Sequence, residues 1–215
     1  MKGREKGRKE EKYLIGIDES SRSLAVGSLV VALVKVKPNF FRQFSWLGIK
    51  DSKLLTRIQI NKIVDTTKKH LEFQISYIKP KDIDKENLND LKMKAVIELL
   101  NTQYKFWGHE IFIDNREKDR DEFNERLKRL LPENLNFKKI NVDKWTITHD
   151  ADEKYKICSL ASIYAKYHSM IEHNDIKAVW SDFGSGKSSD PKTIKFLEEH
   201  DDCVHIRKNG GENGN

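Results

Sequence analysis

Residues 13–36 read YLIGIDESSRSLAVGSLVVALVKV. The first run, YLIGID at 13–18, and the second, at 24–36, are rich in β-branched side chains and are too short or too continuous for amphipathic helices. They predict a buried strand followed by one long or broken antiparallel partner. Gly27 interrupts the second run, which favours a bend or a close approach of the backbone at that point.

Helices and strands alternate after this hairpin, which Pro38 ends. Thr56 and Gln59 have capping-box spacing, and apolar side chains recur at helical spacing farther along the chain. Further strands are predicted over 72–79, 110–114 and 136–142, and helices over 56–69, 84–107, from Asp119 to Pro132, over 154–177 and over 190–200. Such alternation is typical of an α/β fold with one mixed five-stranded sheet flanked by helices, here with a C-terminal helical segment.

The composition favours a single domain with a phosphate-bearing partner. The chain has 215 residues, with 40 Lys or Arg against 34 Asp or Glu, a formal net charge of +6. Residues 1–12 carry six of the basic residues and three glutamates, so this segment holds half of the excess charge. We predict a basic flexible tail at 1–12, either simply solvated or tethering nucleic acid, a folded domain at 13–207 and a disordered tail at 208–215.

Targeting and redox signals are absent from the sequence. No stretch approaches the roughly 18 consecutive apolar residues of a membrane span, and the charged N-terminus lacks the apolar core of a signal peptide. Cys158 and Cys203 form no C-x-x-C pair of a zinc or redox site, so both are predicted to be reduced thiols. These features predict a cytoplasmic protein without membrane contact, and we expect a monomer.

Carboxylates lie where apolar strands end. Asp18 and Glu19 end the first strand, Asp114 ends the strand IFID, and Asp152 directly precedes a helix. Several such acids in one place would repel one another unless a cation lay between them. Two Mg²⁺ ions about 4 Å apart can stabilise the attacking and leaving oxygens of a phosphoryl displacement, so the pattern indicates metal-dependent phosphodiester hydrolysis. Taken singly, each acid also fits a structural role at a cap or in a loop.

Two other enzyme classes find little support. The seven histidines are scattered and no G-x-S-x-G elbow is present, which disfavours a nucleophilic Ser or Cys hydrolase. The run Gly184-Ser185-Gly186-Lys187-Ser188 lacks the spacing of a nucleotide-binding phosphate loop.

Five motifs, in order, resemble those of the ribonuclease HII family, over about residues 13–207. The first is Gly16-Ile17-Asp18-Glu19-Ser20-Ser21-Arg22-Ser23, where the family has G-I-D-E-x-G-R-G, and the second is Asp51-Ser52-Lys53-Leu54-Leu55, where the family has D-S-K-K-L. The third is the strand end Ile113-Asp114, and the fourth is His149-Asp150-Ala151-Asp152 with the helix from Ser159 to Lys166. The fifth runs from Gly184 to Thr193, where the family has G-S-G-Y-P-S-D-P-[RK]-T.

The resemblance implies an RNase H-like fold and cleavage of RNA, or of ribonucleotides embedded in DNA, opposite a DNA strand. It implies that two Mg²⁺ or Mn²⁺ ions are held by Asp18, Glu19, Asp114 and Asp152. Asp152 is favoured over Asp150 because it keeps the family's A-D step. The substrate-binding residues implied in the same way are Ser21, Arg22, Ser23, Ser52, Lys53, Lys166 and Lys187.

Two motifs depart from the family pattern. Both glycines of G-R-G, whose backbone reads the ribose 2′-hydroxyl in the family, are replaced by Ser21 and Ser23. The tyrosine that stacks at a ribonucleotide junction is replaced by Lys187, and the following proline by Ser188. A lysine can bind phosphate but cannot stack, so a change of substrate preference is expected.

These departures leave three functions open. The main hypothesis is a divergent endonuclease of the ribonuclease HII type. The second is an RNase H-like module that binds nucleic acid with little or no turnover. The third is a basic interaction domain for structured RNA or ribosomes, in which the acids are structural.

Overall fold

The computed structural model describes residues 12–101, 109–115, 120–132 and 142–208. Its centre is a five-stranded sheet in the order β3-β2-β1-β4-β5. The strands are β1 (Leu14–Ser20), β2 (Leu29–Val36), β3 (Glu72–Ile78), β4 (Glu110–Asp114) and β5 (Thr146–Thr148). β2 pairs antiparallel with β1 and β3, whereas β4 runs parallel to β1 and β5. The prediction of a mixed five-stranded sheet is therefore confirmed.

Helices cover both faces of the sheet. They are α1 (Pro38–Gln43), α2 (Arg57–Thr67), α3 (Pro80–Ile83), α4 (Leu88–Asn101), α5 (Arg120–Leu130), α6 (Ala151–Lys154), α7 (Lys156–Val179) and α8 (Pro191–Glu199). Ile15 and Ile17 of β1 pack with α4 and α5 on one face. Val30, Ala32 and Val34 of β2 pack with α2 and α7 on the other. Because successive side chains of a strand point to opposite faces, strands covered on both sides read as continuous apolar runs.

Several local signals in the sequence act as predicted. The Thr56 hydroxyl accepts from the Gln59 amide and the Gln59 side chain accepts from the Thr56 amide, which caps α2. Asp190 caps α8 by accepting from the Lys192 amide, with Pro191 in the first turn. Gly27 lies in a bend with φ of +91°, so the predicted second strand is broken and β2 begins only after it.

Other boundaries differ from the predictions. Pro38 opens α1 instead of leading into a loop, as its fixed φ suits a first helical turn. The predicted helix at 84–107 begins only at Leu88, because the Asn87 side chain accepts from two amides at that point. The predicted helix at 154–177 is preceded by the separate turn α6, which contains Asp152, and the extended residue Tyr155 divides it from α7.

Some predictions fall on residues outside the described ranges. These are the tail residues 1–11 and 209–215, the helix end at 102–107, Asp119 and the strand residues 136–141. Val142, the last residue of that predicted strand, opens a 3-10 turn. The fifth strand of the described sheet lies at Thr146–Thr148, which the sequence pattern missed.

The C-terminal residues close one end of the domain. Ile206 pairs with Val26 in an antiparallel bridge, and Phe183, Phe196 and Cys203 pack around Val26 in a small third core. Within the described ranges, no helix has both the length and the apolar character needed to cross a membrane.

Gly16 permits the close approach of α7 to the sheet. A Cβ built at Gly16 would lie 2.3 Å from the carbonyl oxygen of Ile157, near the start of α7. Backbone cannot move aside as a flexible side chain does. Asp18, which shares the face of Gly16 on β1, therefore lies on the side of the sheet covered by the helix that carries Lys166.

We predict that Gly16→Ala destabilises the protein by about 1–3 kcal/mol, the usual cost of overpacking a dense core. Urea unfolding followed by circular dichroism measures the change. Ile58→Ala, at an exposed position of α2, is the control and should alter stability by less than about 0.5 kcal/mol. Equal effects of the two substitutions would contradict the proposed contact.

Candidate active site

The register of β1 and β4 brings two acids together. Ile17 of β1 lies opposite Ile113 of β4 in a parallel pair, so Asp18 and Asp114 follow side by side at the carboxyl ends of both strands. Residues two positions apart share a face, and Gly16 faces α7. Asp18 and Asp114 thus both point towards the α7 side of the sheet.

Glu19 points to the opposite side, where α4 lies. Its carboxylate forms an ion pair with Lys92 of α4, and the Arg22 guanidinium lies 3.8 Å away. The Lys92 ammonium also donates to the backbone carbonyl of Asp114 at 2.7 Å. Lys92 therefore contacts the ends of both β1 and β4, on the α4 side of the sheet.

Asp152 reaches the same region from α6. A hydrogen bond of 2.7 Å from the Ala151 amide to the Asp114 carboxylate joins α6 to the end of β4. Asp152 is buried, whereas Asp150 is 48% exposed and contacts His149. The placement agrees with the choice of Asp152 over Asp150 as the fourth acid.

The acids are packed tightly enough to disturb their titration. Ligand oxygens of Asp18, Glu19 and Asp114 all lie within 4.8 Å of one another. Burial, together with repulsion from Glu19 and Asp114, raises the pKa of Asp18 well above its usual value. Burial and the neighbouring Asp114 raise the pKa of Asp152 to about 6. Buried carboxylate oxygens that disfavour their own charge fit a divalent cation, which would relieve both burial and repulsion.

Basic side chains line the same cleft. Lys53 lies 3.8 Å from Asp51 and 3.9 Å from Asp152, and it is 70% exposed. Its amide donates to the Asp51 side chain at 2.9 Å, which sets the turn that carries it. Burial, with repulsion from Lys187, lowers the pKa of Lys166 on α7. Lys53 and Lys166 therefore place positive charge in the same cleft as the group of acids.

Two loops beside this centre are held against each other. Ser21 has φ of +69°, the left-handed region that favours glycine, and its hydroxyl lies 2.5 Å from that of Ser169. The segment around Ser21 contacts the loop of Lys187 through a backbone bridge between Leu24 and Lys187. Serine at the position of the family's first glycine thus keeps a conformation typical of glycine.

Arg207 fixes the conformation of the first loop. Its side chain is 2% exposed and donates to the carbonyls of Ser21, Arg22 and Gly27, each at 2.8 Å. Arg22 itself is buried and donates to Asn89 at 2.5 Å, so its guanidinium is engaged with protein groups. Its predicted contact with phosphate stays a prediction.

One open cleft of about 420 Å³ collects the predicted site residues. It is lined by Asp18, Glu19, Ser21, Arg22, Ser23, Ser52, Lys53, Asp114, Asp152, Lys166 and Lys187, with several neighbours such as Ser162. Ser52 is buried and its hydroxyl lies 2.9 Å from that of Ser162, whereas Lys187 and Ser23 are exposed. All eleven predicted site residues thus line one cleft, and of the four acids Asp18, Glu19 and Asp114 form the tight group while Asp152 lies outside it.

Two residues near the cleft were missed by the sequence prediction. Lys92 lies at helical spacing from Leu88 and Ala95, so the sequence places it on the apolar face of α4, but the acid that it pairs with is known only from the fold. Arg207 carried no comparable signal, because its partners are up to 186 residues away in the chain.

Comparison with known proteins identifies the family. A sequence model described as Ribonuclease HII matches residues 15–207. The chain belongs to the ribonuclease HII family. A Ribonuclease HII of Pyrococcus abyssi is 36% identical over 187 residues, covering 86% of this chain and 80% of that protein. One from Methanocaldococcus jannaschii is 36% identical over 208 residues, covering 87% and 85%.

A solved structure supports the same assignment. The ribonuclease H2 from Pyrococcus horikoshii superposes with a TM-score of 0.77 at 28% identity, covering 94% of each chain. This member of the ribonuclease HII family is therefore a hydrolase of the ribonuclease H type, an endonuclease that acts on nucleic acid. The sequence resemblance and the RNase H-like fold are both confirmed.

We predict that Asp152→Asn raises the unfolding temperature of the metal-free protein at pH 7.5. The Asp152 carboxyl has a pKa of about 6 in the folded protein against an ordinary 3.8, so its ionised form destabilises the native state at neutral pH. The gain should shrink as the pH falls towards 4.5, where the folded protein already holds the proton.

Thermal unfolding in EDTA at both pH values measures this difference. Asp150→Asn, at the exposed neighbouring acid, is the matched control and should show no such pH-dependent gain. A lower unfolding temperature for Asp152→Asn at pH 7.5 would contradict the conclusion that burial and repulsion from Asp114 make the ionised Asp152 destabilising.

Proposed function

We propose that this member of the ribonuclease HII family hydrolyses the RNA strand of RNA/DNA hybrids, or ribonucleotides embedded in duplex DNA, and leaves 5′-phosphate and 3′-hydroxyl ends. The observation that carries the proposal is the tight group of Asp18, Glu19 and Asp114 in a cleft flanked by lysines. A polyanion can approach such a group only if cations lie between the acids and the phosphate.

We assign Asp18, Glu19, Asp114 and Asp152 as ligands of two Mg²⁺ or Mn²⁺ ions. Their oxygens are the hard donors that these ions prefer. When bound, the ions would supply activation of water and stabilisation of the leaving 3′-oxygen. The parallel strand ends hold Asp18 and Asp114 in place, and the Ala151 amide orients Asp114 by its hydrogen bond.

The lysines are suited to holding the phosphate backbone. Lys166 is half-buried, and its pKa is lowered first by burial and then by repulsion from Lys187; a phosphate between the two lysines would relieve that repulsion. Lys53 lies beside Asp152 at the edge of the acid group, on the turn that the Asp51 side chain stabilises. Such contacts position the substrate without reading its bases.

The loop of Ser21, Arg22 and Ser23 is assigned to the ribose beside the cleaved bond, with Ser52 lining the same cleft. Arg207 supports this assignment because it fixes the loop through two of its carbonyls. All of these residues belong to one chain, so we propose that the enzyme acts as a monomer. Cys158 and Cys203 are both free thiols, which suits the cytoplasm.

Asp114→Asn should reduce cleavage of a labelled RNA/DNA hybrid by about 10³-fold or more, since the charge stabilisation lost is worth several kcal/mol. The assay compares Mg²⁺ with Mn²⁺ and maps the product ends. Asp150→Asn is the control and should retain activity. If the unmodified enzyme cleaves with neither metal, the proposed hydrolysis is wrong.

Lys187→Tyr should shift cleavage towards single ribonucleotides embedded in DNA, because an aromatic ring can stack on a sugar and an ammonium cannot. The measurement is the ratio of kcat/KM for a single-ribonucleotide duplex to that for a hybrid. Lys187→Ala separates loss of the cation from gain of the ring. A ratio equal in the three proteins would exclude position 187 from substrate selection.

A nucleic-acid-binding module with little turnover is the second candidate. It is favoured by serines in place of both glycines of the ribose-reading loop and by the engagement of Glu19 with Lys92. Binding of the hybrid without cleavage in either metal would select this function.

A further inference from the structure

Lys92 is a buried cation on the apolar face of an otherwise ordinary amphipathic helix. It is 6% exposed, and its neighbours at helical spacing, Leu88, Ala95 and Leu99, belong to the core. An ammonium removed from water is strongly destabilising unless it is paired. The burial of the Lys92 ammonium is therefore tolerated only if its Nζ atom is paired with acidic or hydrogen-bond-accepting groups.

Those groups lie at the centre of the acid cluster. Nζ pairs with the Glu19 carboxylate and donates to the Asp114 carbonyl at 2.7 Å. Both partners are the terminal acids of neighbouring parallel strands. Lys92 thus contacts one proposed metal ligand through its side chain and another through its backbone.

Buried cations offset half of the negative charge of the centre before any metal is added. The four buried or nearly buried carboxylates of Asp18, Glu19, Asp114 and Asp152 face two buried cations, Lys92 and Arg22. With all four acids ionised, and with the exposed Lys53 beside Asp152 left out, the formal sum of these buried groups is −2, which a single divalent ion neutralises. A second divalent ion would leave the centre with an uncompensated positive charge in a poorly solvated place, until an anionic phosphate arrived.

We propose that Lys92 is a positioning residue that competes with divalent ions for Glu19, holding this acid in place while limiting how tightly the substrate-free centre binds metal. The inference rests on the proposed function, since it concerns the same acids. Its ammonium occupies the α4 side of Glu19, leaving Asp18 and Asp114 as the acids most available to a first ion. A phosphate of the substrate then supplies the negative charge that favours binding of a second ion.

The test is direct titration of the substrate-free, full-length protein with Mn²⁺ by calorimetry. Lys92→Met keeps the length of the side chain and removes its charge. It should lower the Mn²⁺ dissociation constant at least about tenfold, or add a second bound ion, because a unit positive charge a few ångströms away no longer repels the metal. Lys92→Arg, which keeps the charge, should stay much closer to the unmodified protein.

Lys94→Met is the matched control. Lys94 lies two residues along α4, pairs with Glu86 at the surface and should leave Mn²⁺ binding unchanged. Thermal unfolding gives a second readout: Mn²⁺ should raise the unfolding temperature of Lys92→Met more than that of the unmodified protein, because the ion replaces the missing counter-charge. If Lys92→Met does not fold without metal, Lys92→Gln, which retains a donor for the Asp114 carbonyl, takes its place.

The outcomes separate the two proposals. Suppose that the unmodified protein binds Mn²⁺ and cleaves the hybrid. If Lys92→Met and Lys92→Gln then bind Mn²⁺ no more tightly than it does, the role of Lys92 is wrong and the proposed function stands. An unmodified protein that neither binds Mn²⁺ nor cleaves overturns the proposed function as well.

Discussion

The parallel pairing of β1 with β4 is the constraint on which the rest of the structure depends. It sets Ile17 opposite Ile113, and the next residue on each strand is an aspartate. A shift of one residue in this register would turn one carboxylate to the opposite face of the sheet. The apolar residues that precede the acids therefore determine the geometry of the site, since burial on both faces permits only one register.

The cost of gathering acids at a buried edge is offset by the surrounding helices. α4 supplies Lys92 from one side, and the turn before α7 supplies the Ala151 amide from the other. Each contact constrains a different acid, Glu19 in the first case and Asp114 in the second. The centre is therefore held in place before substrate arrives, which is the condition for effective electrostatic catalysis.

The sequence could predict what depends on neighbours along the chain. The capping pair Thr56 and Gln59, and the apolar run of β1 ending in Asp18, are local patterns, and the structure has both. β5 was missed because three half-buried residues, Thr146–Thr148, are too few to show a period. Lys92 was missed for another reason: a lysine is accepted in a core only when a distant acid meets it, and the partner strand ends are known only from the fold.

The three hydrogen bonds of Arg207 have a consequence for the order in which the protein matures during synthesis. Arg207 is made 186 residues after Ser21, whose loop it holds. At about 5–20 residues per second, the ribosome needs on the order of ten seconds or more to cover that distance. Until then the loop lacks its clamp and Ser21 lacks the support that keeps it in a left-handed conformation. The loop of Ser21 can therefore take its final conformation only after residue 207 has been translated.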